Sequence, residues 1–310
     1  MKVLIADDEP NARALLCSIV TRLGHEAEAV NDGTAAWRAL ERPDAPQLAI
    51  LDWIMPGMSG LEICRKVRGR GHSPYIYIIL LTAVDKPNGL IEGMEAGADD
   101  YVTKPFHAEQ LSVRLRAGQR ILDLQQELLT TQKALEIRAT HDGLTGLWNH
   151  AAILERLAEE LNRAARQMGS LGVILLDVDY FKQINDSYGH SVGDQVLKAT
   201  ARRMTFAVRS YDMVGRYGGD EFLIVAPGCD HQTTVQLAER VCAEVTAAPV
   251  MVSNGNITVS VSAGATVARG GNKIPSGRIV EVADRALYGA KEAGRNRVQW
   301  LVSESTGDAD

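Results

Sequence analysis

The sequence predicts two units of different build. A doubly wound, five-stranded parallel α/β sheet comes first, and a long helix joins it to an α+β domain with an antiparallel central sheet. Three observations carry this expectation. Residues 1–105 alternate short β-branched runs with amphipathic helical stretches. Residues 107–140 hold no proline and a single glycine. After Thr140-His141-Asp142 the order of runs becomes helix, strand, helix, hairpin, helix, strand, helix, strand. A chain of 310 residues is about twice an ordinary domain, which agrees with two folding units.

In the first unit Val3-Leu4-Ile5-Ala6, Leu48-Ala49-Ile50-Leu51 and Ile76 to Leu81 are near-continuous apolar strands, as helices on both faces of a sheet require. Asn31-Asp32-Gly33, Pro56-Gly57 and Gly97-Ala98-Asp99-Asp100 supply turns between elements. In the linker Ile121, Leu124, Leu128 and Leu135 fall on heptad a and d positions, with Thr131 the polar exception. Leu122 and Leu129 widen the apolar face, which favours a dimeric seam over a lone helix packed on its own domain. In the second unit Leu171 to Val178, a hairpin over Met213 to Val225, Ile257 to Val267 and Val298 to Val302 read as strands. The expected limits are 1–120 for the first domain and 107–140 for the linker helix that continues its last helix. The second domain is expected over 141–303, with a disordered tail over 304–310.

Composition narrows the function classes. With 45% hydrophobic and 23% charged residues, each half can bury a core. The net charge of −6 and the lack of a basic run disfavour a nucleic-acid-binding output. Cys17, Cys64, Cys229 and Cys242 are scattered without CxxC spacing, so they read as buried thiols in a reducing compartment rather than a zinc site. The apolar residues ahead of Asp7-Asp8 are too few for a signal peptide, and the Tyr75 to Leu81 run is too short to span a bilayer. A cytoplasmic protein with no membrane or nucleic-acid partner is expected.

Carboxylates cluster by topology in the first unit. Asp7 and Asp8 follow the first strand and Asp52 ends the third, and in an open parallel sheet those ends meet at the ligand crevice. Three acids there need a cation, and an all-oxygen set suits Mg²⁺. Thr82 and Lys104 end the next two strands, adding a hydroxyl and an ammonium suited to a phosphoryl group. Any one strand-end aspartate could instead be a helix cap. The segments Ala6-Asp7-Asp8-Glu9, Leu51-Asp52-Trp53-Ile54-Met55-Pro56-Gly57, Leu81-Thr82-Ala83 and Thr103-Lys104-Pro105 give residues 1–120 a close resemblance to the flavodoxin-like receiver domain of response regulators. The resemblance implies that Asp52 accepts phosphate from a histidine kinase. It also implies that Asp8, Asp52 and the Ile54 carbonyl hold Mg²⁺ with help from Asp7, that Thr82 and Lys104 contact the phosphoryl group, and that Tyr101 switches with Thr82.

In the second unit Leu175-Leu176-Asp177-Val178-Asp179 ends a strand in acids, and Gly218-Gly219-Asp220-Glu221 puts two glycines before two acids in a hairpin. The glycines suggest a two-residue turn with positive φ. The acids could hold two metal ions over a nucleotide's phosphates, although acidic hairpin tips are also common on solvated surfaces. No GxxxxGK[ST] occurs, which excludes a P-loop nucleotide site, and no GxGxxG follows a strand.

Residues 140–302 resemble the palm-like GGDEF family of diguanylate cyclases. The matching segments are Asp142 to Leu147, Asp177 to Asp186, Tyr188-Gly189-His190 with Gly193-Asp194, Gly218 to Phe222, and Ala290-Lys291 with Gly294-Arg295-Asn296. The resemblance implies condensation of two GTP into cyclic di-GMP. It assigns Asp177, the Val178 carbonyl, Asp220 and Glu221 to Mg²⁺ or Mn²⁺, and gives Asp220 or Glu221 the proton of the attacking hydroxyl. Lys182, Lys291 and Arg295 would bind the phosphates, the last two expected four apart on one helical face. Asn185, His190 and Asp194 would hold the base beside Gly218 and Gly219, with Asp194 accepting from guanine donors that adenine lacks. Arg209-Ser210-Tyr211-Asp212 has the spacing of the family's RxxD product-inhibition motif, with Arg240 and Arg163 as second contacts. His150 stands where most relatives carry Arg, and a minor effect on packing is expected.

A two-fold symmetric product made from one GTP per domain requires a homodimer. Phosphorylation of Asp52 is expected to control it through the linker helix. Two other readings are a catalytically silent sensor that binds GTP or cyclic di-GMP, and a mononucleotide cyclase on the same scaffold. The acids and Lys182 argue against the first, and RxxD with the GGDEF hairpin against the second.

Overall fold

The computed structural model describes residues 1–70, 75–83, 89–252, 255–271 and 274–302; the tail expected over 304–310 lies outside the described residues. Two compact units emerge, Met1–Gln132 and Lys133–Asp310.

The first unit runs β1 (Lys2–Ala6), α1 (Pro10–Arg22), β2 (Glu26–Val30), α2 (Gly33–Glu41), β3 (Leu48–Asp52), α3 (Gly60–Gly69), β4 (Tyr77–Ala83), α4 (Gly89–Glu95), β5 (Asp100–Lys104) and the larger part of α5 (Ala108–Thr140), whose last turns belong to the second unit. Its strands form one parallel sheet in the order β2-β1-β3-β4-β5, the doubly wound arrangement expected from sequence. Alternate side chains along each central strand feed two cores. Leu4, Leu51, Ile78 and Leu80 enter one, while Val3, Ile5, Ile50, Ile79 and Leu81 enter the other. Helix α5 seals the second face with Leu111, Leu115 and Leu122. Gly118 lets it approach closely, since a Cβ there would meet the Tyr77 ring at 2.7 Å.

Leu122 is therefore a core residue of this unit and not part of a dimer seam. Ile121, Leu124, Leu128, Leu129 and Leu135 stay exposed on α5.

The second unit runs α6 (His150–Gln167), β6 (Ser170–Val178), α7 (Phe181–Tyr188), α8 (His190–Ala207), β7 (Met213–Arg216), β8 (Glu221–Pro227), α9 (His231–Thr246), β9 (Val250–Val252), β10 (Gly255–Ile257), β11 (Val261–Arg269), α10 (Ser276–Glu292) and β12 (Val298–Trp300). Its main sheet has the order β12-β11-β6-β8-β7, antiparallel except that β12 runs parallel to β11. Helices α8 and α9 cover one face through Val196, Met204, Val241 and Val245. On the other face α6 and α10 pack Ile153, Leu157, Ile279 and Leu287.

Two expectations change here. The single helix expected after β6 is two helices, broken at Gly189 with φ 83°. The strand expected from Ile257 to Val267 is the end of the small β9–β10 pair followed by β11. Of the four thiols Cys17 is half-buried and the others are buried; burial pushes Cys64 and Cys242 up to about 12, so these two stay protonated. Among the described residues no helix is long and apolar enough to cross a membrane.

Candidate functional site

The strand ends of the first unit do converge. One carboxylate oxygen each of Asp7, Asp8 and Asp52 lies within 4.8 Å of the others, with Asp7 fully buried. Lys104 Nζ donates to Asp7 Oδ2 at 2.8 Å and stands 2.9 Å from Asp52 Oδ2. Glu9 N–H and Trp53 N–H donate to Asp7 and Asp52 and fix their orientation.

Burial raises the Asp52 pKa above its ordinary value, and the Asp7 charge adds to this, while Lys104 only partly offsets them. Burial opposes the Lys104 charge, but bonds and charges from Asp7 and Asp52 outweigh it and raise its pKa. Three acids with one ammonium between two of them fit a divalent cation with oxygen ligands.

Ile54 is exposed in the loop after β3. Thr82 is half-buried at the end of β4, and among the described residues its hydroxyl donates only to the Ala83 carbonyl, at 3.3 Å. Tyr101 on β5 packs at the edge of the first core.

In the second unit Asp177 and Glu221 are cross-strand partners at the ends of β6 and β8. Val178 N–H donates to the Asp220 carbonyl at 3.1 Å, tying the hairpin to β6. Lys291, on the last turn of α10, reaches Asp177 Oδ2 at 2.7 Å. Burial, then the charges of Asp220 and Asp179, raise the Asp177 pKa against the pull of Lys291. Burial raises Glu221 too, with Asp177, Asp220 and Asp284 adding to it. Carboxylates strained in this way would gain from a cation, so the donor set fits Mg²⁺. Asp177, Asp220 and Glu221 are not drawn as close as the first unit's triad, the one such cluster among the described residues.

The hairpin tip differs from the expected two-residue turn. Four residues, 217–220, separate β7 from β8, and both Tyr217 N–H and Gly218 N–H donate to the Glu221 carbonyl. Neither Gly218 nor Gly219 has positive φ. Space is what these glycines provide. A Cβ on Gly218 would meet Glu221 Oε2 at 2.6 Å, whereas one on Gly219 would meet nothing within 4 Å. Gly219→Ala is therefore expected to change folding stability by less than about 0.5 kcal/mol in a urea titration.

Arg216 clamps this tip. Its Nε and Nη2 donate to the Gly219 carbonyl at 3.1 and 2.7 Å, and Nη1 pairs with Asp142 at 3.2 Å. Burial would raise Asp142, but bonds from Thr145 and the Arg216 charge outweigh it and lower its pKa. The segment between α5 and α6 also joins β7. Trp148 N–H donates to the Val214 carbonyl at 3.2 Å, and Arg216 N–H donates back to the Trp148 carbonyl at 2.8 Å. His150, the departure noted in the sequence, rests its ring 4.8 Å from that of Tyr217 at the base of the tip.

Lys182 lies exposed on the first turn of α7, and His190 is exposed at the start of α8. Asn185 packs against Gly193, where a Cβ would meet its Oδ1 at 1.9 Å, next to exposed Asp194. Lys291 and Arg295 do not share a helical face. Helix α10 ends at Glu292, and Arg295 follows in a left-handed turn (φ 60°), its guanidinium 4.8 Å above the Tyr180 ring.

Arg209 N–H donates to Asp212 Oδ2 at 2.8 Å, which fixes the RxxD turn. Arg240 Nε donates to the Ala207 carbonyl at 2.7 Å, two residues before Arg209. Arg163 has a partner of its own, Glu160, at 2.7 Å on α6.

Two family profiles match the chain: "Response regulator receiver domain" over residues 3–116 and "Diguanylate cyclase, GGDEF domain" over residues 139–297. The response regulator PleD of Caulobacter vibrioides is 28% identical over 304 residues, covering 96% of this chain and 65% of PleD. Diguanylate cyclase DgcP of Pseudomonas aeruginosa is 36% identical over 225 residues, covering 71% of this chain and 33% of DgcP. The chain thus spans less than two thirds of each relative. The crystal structure of the coiled coil and GGDEF domain of DgcB from Caulobacter crescentus, in complex with c-di-GMP, superposes with a TM-score of 0.55 at 29% identity. That match covers 62% of this chain and 99% of the DgcB chain. Strand-end acids, hairpin and both profiles agree: the chain belongs to the GGDEF diguanylate cyclase family and carries a response-regulator receiver domain ahead of the GGDEF domain.

Proposed function

We propose that this chain is a phosphorylation-controlled diguanylate cyclase that condenses two GTP into cyclic di-GMP and two pyrophosphates. The observation that carries the reading is the Asp177–Glu221 pair with Lys291 against it, beside a hairpin tip left open at Gly219. The 3′-hydroxyl of each GTP attacks the α-phosphorus of the other, and a pyrophosphate leaves at each step. Lys182, Lys291 and Arg295 bind the phosphates, and Lys182 stabilises charge that develops on them. Asn185, His190 and Asp194 hold the base, and Asp194 selects guanine through its N1–H and amino donors. Asp220 or Glu221 takes the hydroxyl proton. Mg²⁺ or Mn²⁺, held by Asp177, the Val178 carbonyl, Asp220 and Glu221, supplies Lewis-acid neutralisation of the phosphates when bound.

In the receiver, Asp52 accepts a phosphoryl group from a histidine kinase; Asp8, Asp52 and the Ile54 carbonyl hold Mg²⁺ with help from Asp7, and Thr82, Tyr101 and Lys104 form the response. Two chains pair along Ile121, Leu124, Leu128 and Leu135, an apolar strip left uncovered on α5. Working limits are 1–120, 107–140 and 141–303. Cyclic di-GMP inhibits at Arg209 and Asp212 with Arg240 alongside; Arg163 would have to leave Glu160 to join them.

The test is product chromatography after incubation with GTP and Mg²⁺, with and without beryllofluoride. Cyclic di-GMP that increases with beryllofluoride at matched dimer content is expected. Absence of product in both states from an intact dimer would leave a nucleotide-binding sensor.

A further inference from the structure

Asp179 follows β6 two residues after Asp177 and is buried, at 4% exposure. Its Oδ1 accepts from Ser262 Oγ at 2.7 Å, and its Oδ2 accepts from Ser260 Oγ at 2.7 Å and Asn296 N–H at 3.1 Å. Its own N–H donates to the Ser260 carbonyl at 3.0 Å. No Lys or Arg pairs with this carboxylate among the described residues. A buried carboxyl group bonded only to neutral donors is costly, and it persists where it fixes a geometry.

The surrounding backbone shows which geometry. Tyr180, Arg295 and Asn296 have φ of 56°, 60° and 48°, three of the four non-glycine residues in the left-handed region among those described. Such conformations are unfavourable for Tyr and Arg and hold only where neighbours enforce them. Asp179 is that neighbour: it is bonded to Tyr180 in sequence and to Asn296 through its carboxylate. The result stacks the Arg295 guanidinium on Tyr180, at the strand end where Lys291 meets Asp177.

We infer that Asp179 is a positioning residue for nucleotide binding: its carboxylate locks the Gly294-Arg295-Asn296 turn so that Arg295 is presented beside Lys291 to the phosphates. The inference rests on the cyclase reading for the identity of the ligand. The lock serves binding that is equal in the bound complex and the transition state, so its loss raises KM for GTP more than it lowers kcat.

The experiment uses the full chain. Asp179→Ala should raise KM for GTP about tenfold with kcat within about twofold of wild type. Asp179→Asn should recover most of the loss, because its amide oxygen still accepts from Ser260 and Asn296 while its NH₂ donates to Ser262. Asp179→Ala combined with Arg295→Ala should show no higher KM than Arg295→Ala alone, since one residue acts through the other.

An unchanged KM in Asp179→Ala, no recovery in Asp179→Asn, or effects that multiply in the double variant would overturn the inference. If Asp179→Ala does not fold, Ser260→Ala at the half-buried end of the network should raise KM about threefold, and an unchanged KM overturns the inference equally. If wild type makes no cyclic di-GMP, the cyclase reading has failed on its own account. Calorimetric Kd values for GTP across the same variants then carry the same ratios, and equal Kd values reject the lock.

Discussion

Glu221→Gln is expected to lower cyclic di-GMP synthesis on the order of a thousandfold, the scale of losing one well-placed electrostatic group at a reacting phosphate. The same substitution should not cost stability. In the folded protein burial, Asp177, Asp220 and Asp284 all disfavour the Glu221 charge and raise its pKa. Glu221 therefore contributes most to wild-type stability where it is protonated, and that contribution is lost as pH rises through the folded-state pKa. In EDTA at pH 7 the Gln variant should melt at or above the wild-type temperature, and the gap should close as the pH is lowered. Mg²⁺ should reverse the order, because a ligand stabilises only the form that binds it. A variant that melts lower than wild type in EDTA, or that gains as much from Mg²⁺, would remove Glu221 from the proposed metal set.

Asp52→Asn is expected to abolish phosphate incorporation from a small acyl phosphate and every increment of cyclase activity that depends on it. The amide matches the carboxylate in shape but is not a nucleophile. Lys104 keeps its 2.8 Å bond to Asp7 when the Asp52 charge is gone, so the receiver should stay folded. In wild type the acceptor must be ionised, and burial holds the Asp52 pKa above its ordinary value. Incorporation should therefore fade on acidification at a higher pH than an ordinary aspartate, near 3.9, would give. Thr82→Ala separates acceptance from response. Among the described residues its hydroxyl holds only the Ala83 carbonyl, at a weak 3.3 Å, so incorporation should persist while cyclase stimulation falls. Stimulation of Asp52→Asn by phosphodonor would refute control through this residue.

The central strands of both sheets were legible because runs such as Leu48 to Leu51 and Leu171 to Leu176 are buried on both faces. Strand β2, Glu-Ala-Glu-Ala-Val at the sheet edge, carries no such run and could not be marked by apolar pattern. The Asp7–Asp8–Asp52 cluster was legible because topology alone sends the ends of parallel strands to one crevice. In the second unit, adjacency in sequence misleads. Asp177 and Asp179 look alike, yet one meets Lys291 and the other anchors two serines and a turn. The left-handed φ of Arg295 placed it off the helical face that the spacing suggested. The Asp142–Arg216 clamp joins residues 74 apart and has no local signature in a single sequence.

Strand β7 is the last of its sheet and would present open backbone groups to any passing chain. The Trp148 bridge closes part of that border, taking up the Val214 carbonyl and the Arg216 N–H. Shielding of this kind protects against unwanted strand addition, and here the shield is the short segment immediately after α5. A fragment trimmed to begin at α6 would retain Asp177, Asp220 and Glu221 and still lose its guard against aggregation.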